Sequence, residues 1–171
     1  MANPFELRGK RVLVVGLART GVATALFCAA RGAHVTATDA RSENEIGEAI
    51  AILRSAGVKL ELGGHREDTF LEQDLIVPSP GVPADAPLLQ AARAKGVTIW
   101  SEVELADRFL EGRLIGITGS NGKTTTTSLI EHILRNAGLP TILAGNIGTP
   151  LIARVGETSD NTITILSLIH I

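Results

Sequence analysis

The chain has 171 residues, 44% hydrophobic and 20% charged, which is enough apolar material for a packed core and excludes a disordered chain. A formal net charge of −2 and a pI near 6.1 exclude the basic face of a nucleic-acid binder. The single cysteine, Cys28, excludes an internal disulfide framework; with no secretory leader after Met1 and no membrane-length apolar run, a soluble cytoplasmic protein is expected.

The elements alternate along the chain. Arg11–Val15 is a short apolar run that stops at Gly16 and reads as a buried strand. Thr20–Arg31 is rich in Ala and Leu and reads as a helix stopped by Gly32. Strands are expected over His34–Thr38, Val58–Leu62, Asp74–Val77 and Val97–Trp100. Helices are expected over Glu43–Ser55, Leu88–Lys95 and Glu102–Leu110, with a Pro-rich loop over Pro78–Pro87. Strands and helices in alternation predict βαβ units and a mostly parallel α/β sheet, Rossmann-like in form.

The pattern restarts near Gly112. Leu114–Thr118 reads as a strand, Lys123–Asn136 as a helix closed by Gly138 and Pro140, and Ile142–Ala144 as a short strand. Two domains are therefore expected, residues 1–112 and residues 113–171, the second being the start of a P-loop ATPase-like α/β domain.

The strongest motif is Gly116-Ile117-Thr118-Gly119-Ser120-Asn121-Gly122-Lys123-Thr124-Thr125. A glycine-containing turn between strand and helix aims backbone N–H groups at phosphate oxygens. Gly119 and Gly122 allow close approach, Lys123 brings a cation to the β- and γ-phosphates, and the Thr124 hydroxyl suits Mg²⁺. The spacing departs from the strict Walker pattern, whose first glycine would fall at Ile117. A glycine-rich turn with a solvated lysine is the alternative.

At the end of the first strand, Gly16-Leu17-Ala18-Arg19-Thr20-Gly21 approximates the dinucleotide fingerprint, with Ala18 in place of the middle glycine. Asp39 falls near the position of a ribose-binding acid. These residues alone leave open an NAD site or a turn without a ligand. Asp39 can equally cap a helix, and Arg41 can simply be solvated.

Taken together, these motifs resemble the Mur ligases. Thr118–Thr124 match the family's Thr-Gly-x-Asn-Gly-Lys-(Ser/Thr) loop residue by residue. Gly16–Gly21, Thr38-Asp39-Ala40-Arg41, Ser79-Pro80-Gly81-Val82 and Gly145-Asn146-Ile147-Gly148 resemble segments of the member that adds D-glutamate. The resemblance runs from about Arg8 to about Pro150. It implies an ATP-dependent amide ligase of peptidoglycan synthesis that joins D-glutamate to UDP-MurNAc-L-alanine through an acyl phosphate.

The resemblance also assigns roles. ATP falls to Gly119, Ser120, Asn121, Gly122, Lys123, Thr124 and Thr125, with Lys123 and Thr124 catalytic and Thr124 a Mg²⁺ ligand. The UDP part of the precursor falls to Thr20, Gly21, Asp39, Arg41, Gly81 and Asn146. Asp39 can accept from a uracil N–H, Arg41 can stack on or bond the base, and the N–H groups near Gly21 suit a pyrophosphate. Ala40, Ala18 and Arg19 depart from the family's commonest pattern. ATP and Mg²⁺ are the expected cofactors, and UDP-MurNAc-L-alanine and D-glutamate the partners. Neither nucleic acid nor membrane insertion is expected, and a monomer is.

The alternatives are the alanine-adding ligase of the same family, a nicotinamide-dependent oxidoreductase and a non-catalytic UDP-sugar-binding module. The family's Glu and His metal ligands and modified lysine find no match here. Residues 163–171 read Ile-Thr-Ile-Leu-Ser-Leu-Ile-His-Ile where relatives carry a Glu-Leu-Ser-Ser-Phe-Gln type segment. An incomplete fragment, inactive alone, native to about Ile165 and with an exposed apolar strand edge, is therefore expected. His34, His65 and His132 read as structural or surface residues, Cys28, Trp100 and Phe109 as core, and Glu102 and Glu104 as the first turn of a helix.

Overall fold

The structure is a computed structural model, and it describes residues 5–145 and 149–168. Contacts divide the chain into two compact units, Met1–Arg108 and Phe109–Ile171.

The first unit is built on five parallel strands: β1 (Arg11–Val15), β2 (His34–Asp39), β3 (Lys59–Leu62), β4 (Leu75–Pro78) and β5 (Thr98–Ile99). Their order is β3-β2-β1-β4-β5, with every neighbouring pair parallel. β1 lies at the centre and its four residues Val12–Val15 are buried, as a strand covered on both faces requires. Leu13, Val15 and Ile76 pack with Phe70, Leu89 and Ala92 in one cluster. Val12 and Val14 face the opposite side by strand alternation. Helix α1 (Arg19–Ala30) buries Gly21, Thr24, Ala25 and Cys28, a stripe at helical spacing that packs on β1 and β2.

The single helix expected over Glu43–Ser55 is instead two, α2 (Glu43–Ile46) and α3 (Ala49–Ser55). Gly47 separates them at φ 74°, a left-handed conformation that ends a helix. A further helix, α4 (Glu67–Leu71), lies in a stretch to which the sequence reading assigned no element, and it buries Phe70. Helix α5 (Pro87–Ala94) starts with proline at its first position, and α6 (Glu102–Asp107) starts from a capping box. In that box the Glu104 N–H donates to Ser101 Oγ at 3.2 Å, and the Ser101 N–H donates back to Glu104 Oε2 at 2.7 Å. Trp100 and Phe109, expected in the core, are half-buried. Trp100 lies edge-on to Phe5 at 4.7 Å and beneath the Arg108 guanidinium at 3.7 Å, which suits an amphipathic ring at a surface.

The second unit holds β6 (Arg113–Ile117), β7 (Thr141–Gly145) and β8 (Ile163–Ser167), with helices α7 (Lys123–Asn136) and α8 (Leu151–Arg154). The strand order is β6-β8-β7, and β8 is parallel to both neighbours. Among the described residues β6 and β7 form the edges of this sheet, and Leu114 on β6 is exposed. β8 lies between two partners, with Ile165 and Leu166 buried, because its apolar run suits an interior parallel strand. It continues past Ile165, the residue at which the native segment was expected to stop.

Candidate functional site

In the first unit, the sheet reverses its order between β1 and β4, and ligands of open α/β sheets bind at the carboxyl ends of such strands. A cleft of about 340 Å³ opens there. Gly16, Asp39, Ala40, His65, Gly81 and Val82 line it, together with further apolar side chains.

The glycines of the first turn have distinct jobs. Gly16 has φ 87°, which turns the chain out of β1. A Cβ on Gly21 would overlap the Gly16 carbonyl oxygen and stand 2.7 Å from Ser79 Oγ. Only glycine lets α1 come this close to the strand. Ser79 Oγ donates to the Gly16 carbonyl at 2.7 Å and so ties the loop after β4 to the turn after β1. Ala18 is the N-cap of α1 and provides no side-chain cap. The first-turn N–H groups, near Thr20 and Gly21, thus carry no capping side chain and retain the positive end of the helix dipole. Thr20 is half-buried in that turn, and Gly81 is exposed on the cleft wall.

Asp39 is buried, and its carboxylate takes four N–H donors. Leu17 N–H reaches Oδ2 at 2.6 Å, and Arg41 N–H reaches Oδ1 at 2.9 Å. The Arg41 guanidinium adds Nε to Oδ1 at 3.0 Å and Nη2 to Oδ2 at 2.8 Å. The fork of Arg41 holds the carboxyl well below the usual carboxylate range, against a smaller opposing effect of burial. Arg41 keeps 44% of its side chain exposed, so its guanidinium plane is fixed and still reachable.

His65, expected to be a structural or surface residue, stands on the cleft wall. Its Nδ1 is 2.8 Å from the Thr38 hydroxyl, and its ring is edge-on to Phe70 at 6.0 Å. The signal that could have found it is Gly63-Gly64-His65 after the third strand, where two glycines carry the chain over the strand ends. Asn146, the remaining residue expected at the UDP part, lies outside the described residues.

In the second unit, β6 leads directly into the glycine-rich loop. Gly119 has φ 145°, and Gly122 is the left-handed N-cap of α7 at φ 77°. A Cβ on Gly119 would have only the Asn121 carbonyl oxygen near it, at 3.7 Å, so the loop's inner side is open. The loop is therefore shaped by backbone conformation and leaves room for phosphate oxygens over the start of a 14-residue helix. Lys123 folds its ammonium back over the loop and donates to the carbonyl oxygens of Gly119 and, at 3.5 Å, Ser120. Thr124 and Thr125 are exposed in the first turn, with Asn121 and Ser120 exposed before them. Thr127 closes the turn by donating to the Lys123 carbonyl at 2.7 Å. Lys123, Thr124 and the loop N–H groups thus have the chemistry to hold a triphosphate and its Mg²⁺. Among the described residues, no group of three or more His, Cys, Asp or Glu side chains could by itself hold a metal.

Comparison with known proteins agrees with both halves. Residues 10–101 match the family described as the Mur ligase MurD-like N-terminal domain, and residues 117–170 match the Mur ligase middle domain. The second match runs beyond Ile165. The chain is 50% identical over 164 residues to the UDP-N-acetylmuramoylalanine--D-glutamate ligase of Koribacter versatilis, covering 96% of this chain and 36% of that protein. It is 51% identical over 164 residues to the ligase of the same name from Acidobacterium capsulatum, with the same 96% and 36% coverage. The chain thus spans about a third of the length of these relatives. Among solved structures it is similar to a pseudomurein peptide ligase type C from Methanothermus fervidus, with TM-score 0.55 and 25% identity, covering 94% of this chain and 33% of that one. The UDP-N-acetylmuramate-alanine ligase MurC of Thermotoga maritima, at TM-score 0.52 and 23% identity over 92% of this chain and 37% of that one, shares the fold. These matches displace the nicotinamide-dependent oxidoreductase. The chain belongs to the Mur ligase family, with a MurD-like N-terminal domain followed by sequence of the middle domain.

Proposed function

We propose that this chain serves the ATP-dependent addition of D-glutamate to UDP-MurNAc-L-alanine, a cytoplasmic step of peptidoglycan synthesis. The observation that carries this reading is the identity near 50% to ligases of that name over nearly the whole chain. The cleft and the phosphate loop have the chemistry it needs. In this reading residues 1–112 bind the UDP part of the precursor and residues 113–171 bind MgATP.

The precursor's pyrophosphate meets the N–H groups around Thr20 and Gly21 at the start of α1. Arg41, held flat by Asp39, faces the base, and Gly81 leaves the wall beside it open. Asn146 adds a donor and an acceptor on the precursor. In the second unit Gly119, Ser120, Asn121, Gly122 and Thr125 cradle ATP phosphates, Lys123 offsets their charge and Thr124 contributes its hydroxyl to Mg²⁺. Bound MgATP supplies the phosphoryl group that activates the precursor's carboxylate. The 171 residues by themselves bind both nucleotides without closing the amide bond, and act as a monomer.

The test is calorimetry on the whole 171-residue chain, after far-UV circular dichroism establishes folding, with UDP-MurNAc-L-alanine and NAD titrated separately. Heat with the UDP-sugar and none with NAD is expected. Heat with NAD alone overturns the reading.

A further inference from the structure

Two side chains hold one peptide plane in the first turn. The plane between Gly16 and Leu17 offers one N–H and one carbonyl oxygen. Its N–H donates to Asp39 Oδ2 at 2.6 Å, and its oxygen accepts the Ser79 hydroxyl at 2.7 Å. The direction of the second bond is fixed, because a carbonyl can only accept. Gly16 has φ 87° and no Cβ, so backbone sterics alone restrain this plane little. Asp39 ends β2 and Ser79 directly follows β4, so the two strands that flank β1 both reach in to hold it.

The place of that oxygen gives the Ser79 bond its consequence. A Cβ on Gly21 would stand 1.8 Å from it, so the carbonyl lies against the first turn of α1. That turn carries the positive end of a 12-residue helix, and no side chain caps it at Ala18. A carbonyl oxygen bears a partial negative charge. Without a donor it would repel an anion brought to the same turn, or swing towards the uncapped N–H groups and compete with the anion for them. Bonded to Ser79, it does neither. Ser79 itself is buried, and its N–H donates to the Val15 carbonyl at 2.8 Å, so the strand ends set where its hydroxyl stands.

We propose that Ser79 is a positioning residue for the diphosphate of the bound nucleotide: its hydroxyl holds the Gly16 carbonyl away from the anion and keeps the first-turn N–H groups of α1 open to it. This rests on the reading of the cleft as a UDP site. Ser79 acts through Gly16 and touches no phosphate itself. Its effect therefore falls on the phosphate part of the ligand and not on the nucleoside.

The experiment titrates UDP and uridine separately into the whole chain, as wild type, Ser79→Ala, Ser79→Cys and Ser79→Thr, each verified as folded by circular dichroism. Affinities are read from the protein's NMR spectrum, and the quantity compared is the ratio of UDP affinity to uridine affinity. Ser79→Ala removes the donor. Ser79→Cys nearly keeps the size and offers only the weak donor of a thiol, and Ser79→Thr keeps the hydroxyl. Wild type is expected to bind UDP more tightly than uridine. Ser79→Ala should cut that ratio about tenfold, the worth of one hydrogen bond, with uridine affinity held within about twofold. Ser79→Cys should fall between the two, and Ser79→Thr should restore the ratio. Where Ser79→Ala does not fold, the fall in Ser79→Cys against Ser79→Thr decides. A ratio unchanged in the folded variants, or UDP and uridine weakened alike, overturns the proposal alone. A wild type that binds neither ligand overturns the UDP reading and the proposal with it.

Discussion

Asp39 Oδ2 accepts the backbone N–H of Leu17 at 2.6 Å, which locks the end of the second strand to the turn that leaves the first. The same carboxylate holds Arg41, so one side chain ties the turn after β1 to the residues that follow β2. Asp39→Asn keeps the size and loses the charge. It should destabilise the chain by about 1–3 kcal/mol, measured by urea unfolding. The sign of its pH dependence follows from the depressed carboxyl. Its contribution is complete above the unfolded-state pKa of about 3.9 and is lost as pH falls towards the folded value. Wild-type stability should drop below about pH 4 more steeply than that of Asp39→Asn. Equal slopes would show that the carboxylate contributes nothing.

Gly21→Ala forces a methyl into the Gly16 carbonyl and the Ser79 hydroxyl. Helix α1 must move away from β1, at a cost of about 3 kcal/mol or more. A thermal midpoint within a degree or two of wild type would contradict the close approach.

Lys123→Met removes the cation over the phosphate loop while keeping length and apolar bulk. MgATP affinity should fall about tenfold to hundredfold, as loss of a charge-assisted bond predicts, with UDP affinity unchanged. Unaltered MgATP binding would mean the ammonium stays on the Gly119 and Ser120 carbonyls in the complex.

Cys28 is fully buried on α1, and burial pushes its thiol up to about 12. At pH 8 the folded chain should react with iodoacetamide about a thousandfold more slowly than the urea-unfolded chain, through loss of thiolate and of access. The raised value also means that stability falls as pH rises above about 8.5. Equal labelling rates would show that α1 does not cover the thiol.

Most strands were legible because they are runs of Val, Ile and Leu closed by glycine, as Arg11–Val15 is. Gly16 and Gly21 could be assigned because the fingerprint demands a turn and a close approach, and both roles are present. The break at Gly47 was missed because flanking Ala and Ile give a continuous helical pattern, which a left-handed glycine interrupts. α4 was missed because its short stretch, Glu67–Leu71, is anchored mainly by Phe70 in the shared core. His65 was passed over because its place on the cleft wall depends on Thr38, which lies distant in sequence and is brought beneath it only by parallel pairing of β2 and β3. The bond from the Leu17 N–H to Asp39 is likewise a tertiary fact.

The second sheet has a consequence for biogenesis. Among the described residues β6 and β7 are not neighbours, and each pairs with β8. On the ribosome, the Gly119–Thr125 loop emerges well before the residues that anchor the strand leading into it. Local pairing cannot rescue it, since the strand that comes next in sequence is not adjacent in space. The loop must wait unseated until Ile163–Ser167 arrives, and in that interval β6 and β7 offer unsatisfied edges to chaperones or to neighbouring chains.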